Sequence, residues 1–538
     1  MKTVRSMVLV SHDQKSKANA SQEVIDALQS AIKSLDLSDE VAVASIPEIG
    51  NVRNLPLVVI LPEATVYAPV KPEDVPHLVE EHLYKGREVA ALKVTDNDTL
   101  RKIAWLTQRK GTLPAESKIV LRNVGIVDPE NIDDFLAYEG GQAFALTLEM
   151  TPELVVEIIK ESGLRGRGGA GFPAGIKWEA VRKAPGTKKY VICNADESEP
   201  GTFKDRVILE GDPFTIIEAM LIAAYAVGAD EGYIYIRGEY QLALERVEKA
   251  IHQAREYGVL GKNIFGSGFD FDIHIHAGAG AYICGEETAL LESIEGGRGE
   301  PRVKPPYPTT SGLWGKPTLI NNVETFANIP PIVLNGAQWF KSFGTPSSPG
   351  TKVYTILGNV NNTGLIEVPM GITLREVISI YGKGIKAGQF KFAQTGGSSG
   401  SIIPASLQDT PMDFDSYRKV GVALGSGALL ICNDTNCIVD SVRVLTRFFQ
   451  EECCGKCVPC RVGTEQTWKI LTNISEGRGK MEDLAHLEWL CKGMEDFSNC
   501  GLGQTAGTPI RNMLDHFRAE LEAHIKLGVC PTGVCPMG

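Results

Sequence analysis

Cysteine is absent from the first 192 residues of this 538-residue chain. Long apolar runs are absent throughout: the best, such as Val420–Ile431, are short and broken by glycine, well below the ~20 residues of a spanning helix. The start, Met1-Lys2-Thr3-Val4-Arg5, leads into only four apolar residues before Ser11-His12-Asp13, so no secretory signal is expected. Basic charge is not in excess: 54 Lys and Arg against 66 Asp and Glu give a net charge of −12, which argues against nucleic acid as the main partner. With 43% hydrophobic and 22% charged residues, the chain is neither disordered nor collagen-like. Its length suggests roughly three to four domains at about 150 residues each. Hydrolase signatures are missing too: no Ser-His-Asp or Cys-His pattern stands out, and His274 and His276 simply alternate on a predicted strand. No repeat or low-complexity tract occurs.

What is present is distributed unevenly. Residues 1–100 read as a small α/β unit. It has strand-like runs at Met7–Val10, Val41–Ile46 and Leu57–Leu61, a helix from Ser21 (as N-cap) to Leu35, and another near Pro72–Tyr84. Residues 101–340 alternate helices and strands and are dense in glycine, as in an α/β layer. Residues 341–435 carry a hairpin signal, Asn361-Asn362-Thr363-Gly364 between two apolar runs, and Thr373 as the cap of a short helix, which suggests an α+β domain. Residues 436–528 are helical, and 529–538 form a cysteine-containing tail.

Ten of the 12 cysteines lie at or after Cys432. Without an export signal the thiols should stay reduced, so the clustering favours metal or redox chemistry and a cytoplasmic location. Cys454, Cys457 and Cys460 form a C-x2-C-x2-C run whose thiolates converge on one inorganic centre, as an iron–sulfur cluster requires. The ferredoxin position for a fourth cysteine is Thr464, so the fourth ligand comes from further along. Cys491 sits on the apolar stripe Leu484/Leu487/Leu490/Met494, where a packed thiol belongs, whereas Cys500 lies in a break at Ser498-Asn499-Cys500-Gly501; Cys500 is the expected ligand. In the tail, a helix over Thr508–Leu527 (Thr508 as cap) ends at Gly528. His524, Cys530 and Cys535 then suit tetrahedral zinc, with Cys437 or Cys453 as fourth ligand. Cys193, Cys284, Cys432, Cys453 and Cys491 default to packing.

Gly166-Arg167-Gly168-Gly169-Ala170-Gly171 matches G-x-G-x-x-G but follows a helix rather than a strand, so a standard Rossmann fold is not expected. Such a loop still offers backbone N–H groups to phosphate, with Arg165, Arg167 and Lys177 adding charge. Acidic clusters end two predicted strands, at Asn194–Pro200 and Gly285–Thr288, and a polar group, Asn321-Asn322 with Thr325, ends a third. Three such loops beside an iron–sulfur pattern suggest a redox-cofactor site.

From Gly163 to Gly507, about two-thirds of the chain, these strings in this order resemble the NADH-oxidising flavin subunit of respiratory complex I. They also resemble the diaphorase subunits of NAD-linked hydrogenases and formate dehydrogenases, including electron-bifurcating ones. The resemblance implies an FMN site lined by Gly166, Arg167, Gly169, Lys177, Asn194, Asp196, Glu197, Tyr282, Gly285, Glu286, Asn321, Asn322 and Thr325. It implies NADH contacts from Phe172, Glu199, Glu287, Lys304 and Tyr307, with Phe172 and Tyr307 sandwiching the adenine end. One pocket aromatic expected just after Trp178 is Ala180 here. Glu197 and Glu287 are assigned the catalytic part, orienting water and nicotinamide. A [4Fe–4S] cluster falls on Cys454, Cys457, Cys460 and Cys500. The tail resembles a zinc site of electron-bifurcating hydrogenase subunits, which puts Cys437 ahead of Cys453.

The implied architecture is an α/β and α+β multidomain chain. It comprises a thioredoxin-like domain (1–100) lacking the cysteines of a [2Fe–2S] cluster, an FMN/NADH-binding α/β domain (101–340), a ubiquitin-like soluble-ligand-binding domain (341–435) and a [4Fe–4S] helical bundle (436–528). The expected activity is hydride transfer between NADH and FMN, then single-electron transfer through the cluster to a partner. Expected partners are a small [2Fe–2S] thioredoxin-like subunit and a multi-cluster iron–sulfur subunit of hydrogenase, formate dehydrogenase or ferredoxin-linked type. The parent is expected to be an electron-bifurcating hydrogenase or NADH:ferredoxin-type complex. The alternatives are a non-bifurcating diaphorase, complex I, or a non-catalytic scaffold.

Overall fold

The computed structural model describes residues 6–11, 20–38, 40–46, 56–61, 65–95, 118–138 and 140–537. The chain divides into two compact units, Met1–Pro114 with Arg122–Gly140, and Ala115–Leu121 with Gly141–Gly538.

In the first unit, strands run in the order Val41–Ile46, Ser6–Ser11, Val58–Leu61, Thr65–Tyr67. The first pair is parallel and the other two antiparallel, an arrangement of thioredoxin type. The helix Ala20–Ser34 crosses between the first two strands in sequence, burying Val24, Ile25, Leu28 and Ile32. It starts one residue before Ser21, so Ser21 is a buried helical residue and not the cap expected from sequence. The Pro72–Tyr84 stretch forms a short α-turn at Val75–Leu78 that widens into a π-type turn at Val79–Tyr84.

The second unit is built on a four-stranded parallel sheet ordered Asp272–Gly278, Glu231–Arg237, Tyr190–Ala195, Thr318–Asn322. Chain order within it is therefore third, second, first, fourth. Pro213–Val227 packs against it; only Tyr225 of its 15 residues escapes full burial, as expected of a helix apolar all round. Asp212 caps that helix through Thr215 N, and Gly228 (φ 78°) ends it.

A five-stranded sheet follows, ordered Gly364–Pro369, Thr351–Gly358, Ala428–Asn433, Phe390–Thr395, Ile402–Pro404. The predicted hairpin is its outer antiparallel pair, and the central strands Thr351–Gly358 and Ala428–Asn433 run parallel, the 2-1-5-3-4 order of ubiquitin-like folds.

Helices Ile438–Glu452, Val458–Ser475 and Glu482–Phe497 begin the terminal bundle. The expected continuous helix Thr508–Leu527 is broken once: Thr508–His516 is followed by Arg518–Glu522, which runs on into a π-type turn at Ala523–Leu527. Phe517 leaves helical geometry (φ −129°, ψ 25°), and Gly507 rather than Thr508 occupies the cap. Among the described residues, no helix is long and apolar enough to cross a membrane.

Candidate functional site

In an open parallel sheet, ligands settle beyond the carboxyl ends of the strands, where neighbouring connections leave in opposite directions. Here that switch point lies between Tyr190–Ala195 and Thr318–Asn322, where Asn194 pairs in register with Asn322. The glycine loop joins them from the preceding helix, Pro152–Glu161, so the fingerprint does sit outside a Rossmann unit. The loop closes on itself through Gly166 N to Phe172 O (2.8 Å) and Ala174 N to Leu164 O (2.9 Å). It meets Thr325 through Arg167 N to Oγ1 (2.8 Å). Arg167 contributes backbone only: its fully buried guanidinium donates to the carbonyls of Thr351 (3.1 Å), Pro349 (2.8 Å) and Arg165 (3.2 Å). Arg165 is likewise engaged, by Gly171 O (2.7 Å) and the Asp415 carboxylate (3.2 Å).

The acidic loop divides into distinct roles. Glu197 caps the helix Lys204–Gly211, accepting from Asp205 N and Arg206 N at 2.9 Å each. Burial, with the Asp205 carboxylate beside it, pushes its pKa up. Asp196 differs: Oδ1 accepts from Ser198 (3.1 Å), but the buried Oδ2 has no donor among the described residues. Burial raises its pKa to about 7. Glu199 accepts from Tyr282 OH (2.7 Å) and Ser399 Oγ (2.8 Å).

Across the crevice, Asn194 Nδ2 donates to Gly285 O (2.9 Å). Glu286 Oε2 caps Glu287–Ile294 through Thr288 N (2.8 Å) and Ala289 N (3.0 Å), while Oε1 meets Lys304 Nζ at 2.8 Å. Glu287 lies 3.2 Å from Lys177 Nζ and 3.5 Å from Lys304 Nζ. Burial pushes its carboxyl up, but the two ammonium groups outweigh that and hold it below the ordinary value. Phe172 and Tyr307 are 52% and 57% exposed, so two aromatic faces remain available. An unpartnered carboxylate oxygen, free aromatic faces and a polar crevice fit a nucleotide-like ring system.

Cys457 caps the helix Val458–Ser475, Cys460 lies in its first turn, and Cys500 caps Gly501–Thr505. Amides at two helix N-termini thus surround the thiolates, favouring an anionic centre. Gly503 permits the close packing this needs, since a Cβ there would stand 2.8 Å from Cys460 Cβ. Cys454 and Cys457 are half-buried on the same cluster of side chains, and Cys491 is a buried packing residue beside Leu487 and Met494. Cys453 Sγ lies 3.3 Å from Cys460 Sγ.

Cys437, His524, Cys530 and Cys535 offer four ligand atoms within 4.8 Å of one another. Cys437 Sγ, Cys535 Sγ and His524 Nε2 form a triangle with 3.4 Å edges, close to the edge of a zinc tetrahedron with bonds of about 2.0–2.3 Å. His524 Nδ1 meets Glu520 O at 2.7 Å, leaving Nε2 for a metal. Cys437, not Cys453, completes this group.

Residues 159–331 match the Nuo51 FMN-binding domain, and residues 440–524 match the NADH-ubiquinone oxidoreductase-F iron-sulfur binding region. The NADP-reducing hydrogenase subunit HndC of Solidesulfovibrio fructosivorans is 51% identical over 419 residues, covering 78% of this chain and 85% of that protein. The chain belongs to the family of NADH dehydrogenase flavoprotein subunits. Another member, an NADH-quinone oxidoreductase subunit of Rhizobium meliloti, is 50% identical over 415 residues, 77% of this chain and 99% of its own. A solved NAD+-reducing [NiFe]-hydrogenase in the H2-reduced state aligns with a TM-score of 0.68 at 31% identity. It covers 97% of this chain and 85% of that one. Membership makes the protein an NADH-oxidising subunit with FMN and [4Fe–4S] as cofactors.

Two features of this flavoprotein escape sequence reading. One is the buried ion network of Lys204, Asp205, Glu324 and Lys352, in which Lys204 Nζ lies 2.6 Å from Asp205 and 3.0 Å from Glu324. The other is the Gly396-Gly397-Ser398-Ser399-Gly400 loop that meets Glu199. Its glycine–serine composition is the only signal it carries.

Proposed function

We propose that the chain is the NAD(H)-handling subunit of an electron-bifurcating hydrogenase or NADH:ferredoxin-type complex. It would work in the cytoplasm beside a small [2Fe–2S] thioredoxin-like subunit and a multi-cluster iron–sulfur subunit. The observation that carries this choice is the four-donor group Cys437, His524, Cys530 and Cys535, read as zinc. The hydrogenase subunit at 51% identity supports it.

In this reading FMN, when bound, supplies the exchange between a two-electron hydride and single electrons. The chain's residues supply geometry, which is what hydride transfer needs. The glycine loop and the Asn194, Asn321, Asn322 and Thr325 groups hold the flavin from the switch point, and Asp196 Oδ2 takes a donor on the ligand. Phe172 and Tyr307 stack on the adenine end, while Glu199, Glu287 and Lys304 orient the nucleotide. Glu197 acts through the loop it anchors. Cys454, Cys457, Cys460 and Cys500 hold the cluster through which electrons leave.

Co-purification from the native host tests the assignment: hydrogenase or ferredoxin-linked subunits are expected, and a quinone-reducing membrane arm would overturn it. A second reading, the diaphorase of a non-bifurcating NAD-linked hydrogenase or formate dehydrogenase, is favoured by the alignment of 97% of the chain with an NAD+-reducing hydrogenase.

A further inference from the structure

The ubiquitin-like sheet sends one loop, Gly396–Ser401, between its strands Phe390–Thr395 and Ile402–Pro404. This loop is braced from inside. Gln394 Nε2 and Gly400 N both donate to Gly397 O (2.5 and 3.0 Å), and Ala423 N donates to Ser401 Oγ (2.9 Å). Its tip meets the acidic loop of the nucleotide crevice. Ser399 gives Glu199 two donors, Oγ to Oε2 at 2.8 Å and backbone N to Oε1 at 3.2 Å. Tyr282 OH gives a third at 2.7 Å. The approach depends on Gly397, at φ 78°, where a Cβ would lie 2.0 Å from Glu199 Cγ.

A glutamate side chain has three rotatable torsions, and ordering it on ligand binding costs affinity. Here the carboxylate is already fixed, by donors from two elements distant in sequence. We propose that Ser399 is a positioning residue for the known reaction, holding Glu199 in the orientation in which it receives the nicotinamide nucleotide. The ubiquitin-like domain thereby supplies one wall of the nucleotide site. The inference rests on the reading of Glu199 as a nucleotide contact.

The experiment uses the full chain with its cofactors, assayed by NADH-dependent ferricyanide reduction alongside FMN content. Ser399→Ala is expected to raise KM for NADH roughly ten- to a hundredfold, as for loss of one hydrogen bond to a charged group, with kcat within about twofold and FMN content unchanged. Ser399→Thr, which keeps the hydroxyl, should recover most of the loss. Combined with Glu199→Gln, Ser399→Ala should add little to the effect of Glu199→Gln alone, since both act through one contact. A wild-type KM for Ser399→Ala, effects that multiply in the double variant, or loss of FMN from Ser399→Ala would each overturn the positioning role. If Glu199→Gln itself leaves KM unchanged, the reading of Glu199 as a nucleotide contact fails instead, and the inference with it.

Discussion

At the scale of single residues, burial and hydrogen bonding set the carboxylates of the crevice apart from one another. Asp196 is the clearest case, with one buried oxygen unpartnered and a pKa raised from 3.8 to about 7. A raised native pKa means the folded protein holds the proton more tightly than the unfolded chain. That stability is present below about pH 4 and lost as pH rises through about 7. Asp196→Asn should therefore leave the FMN-free protein equally stable near pH 4 and more stable than wild type by pH 8, measured as a widening gap in melting temperature. The same substitution should weaken FMN binding, read by quenching of flavin fluorescence, because an acceptor facing the ligand becomes part donor. The cluster gives a second contrast. Cys500→Ser should abolish the cluster's EPR signal, whereas Cys491→Ser, altering a packed thiol beside Leu487 and Met494, should leave the signal intact.

At the scale of elements, Glu324 joins two sheets. It follows the Thr318–Asn322 strand, accepts from Val353 N at 2.8 Å and faces Lys204 and Lys352, all within the buried interior. Burial pushes its carboxyl up, but Lys352 and Lys204 outweigh that and keep it low. Glu324→Ala would strand buried ammonium groups, and removing one partner of such a set costs about 3–5 kcal/mol. The expected result is a sharp fall in melting temperature together with loss of FMN. Nothing in the sequence announces this network, because Glu324 and Lys352 lie 28 residues apart on separate elements and read as ordinary surface charges. What the sequence does display is local: the C-x2-C-x2-C spacing, the glycine loop after a helix, the Asn-Asn-Thr-Gly hairpin and the apolar Pro213–Val227 helix. The same limit explains two misplacements. Ser21 looks like a cap but lies inside its helix, and the break at Phe517 has no glycine or proline to announce it. Arg167 reads as a phosphate cation because charge beside glycine suggests that role, yet its guanidinium holds the Thr351 and Pro349 carbonyls of a distant segment.

For the molecule as a whole, the helix Ile438–Glu452 runs between the four-donor group Cys437, His524, Cys530 and Cys535 and the C-x2-C-x2-C run. Cys437 caps its start and Cys453–Cys457 follow its end. Glu520 reinforces the first of these, receiving Ile438 N (3.1 Å) and Lys391 Nζ (2.7 Å) on its carboxylate while its carbonyl meets His524. Lys391 belongs to the ubiquitin-like sheet, so a metal on Cys437, His524, Cys530 and Cys535 would tie the tail to the bundle and, through Glu520, to that sheet. The two centres should then be separable in composition but linked in stability. Cys530→Ser is expected to remove about one zinc per chain by metal analysis while FMN and cluster iron stay stoichiometric. It should also lower the melting temperature, as a lost structural zinc does. Wild-type protein with full iron and no zinc would refute the metal assignment. Loss of iron along with zinc would mean that the helix between them passes the damage to the cluster, and electron exit would then depend on the tail.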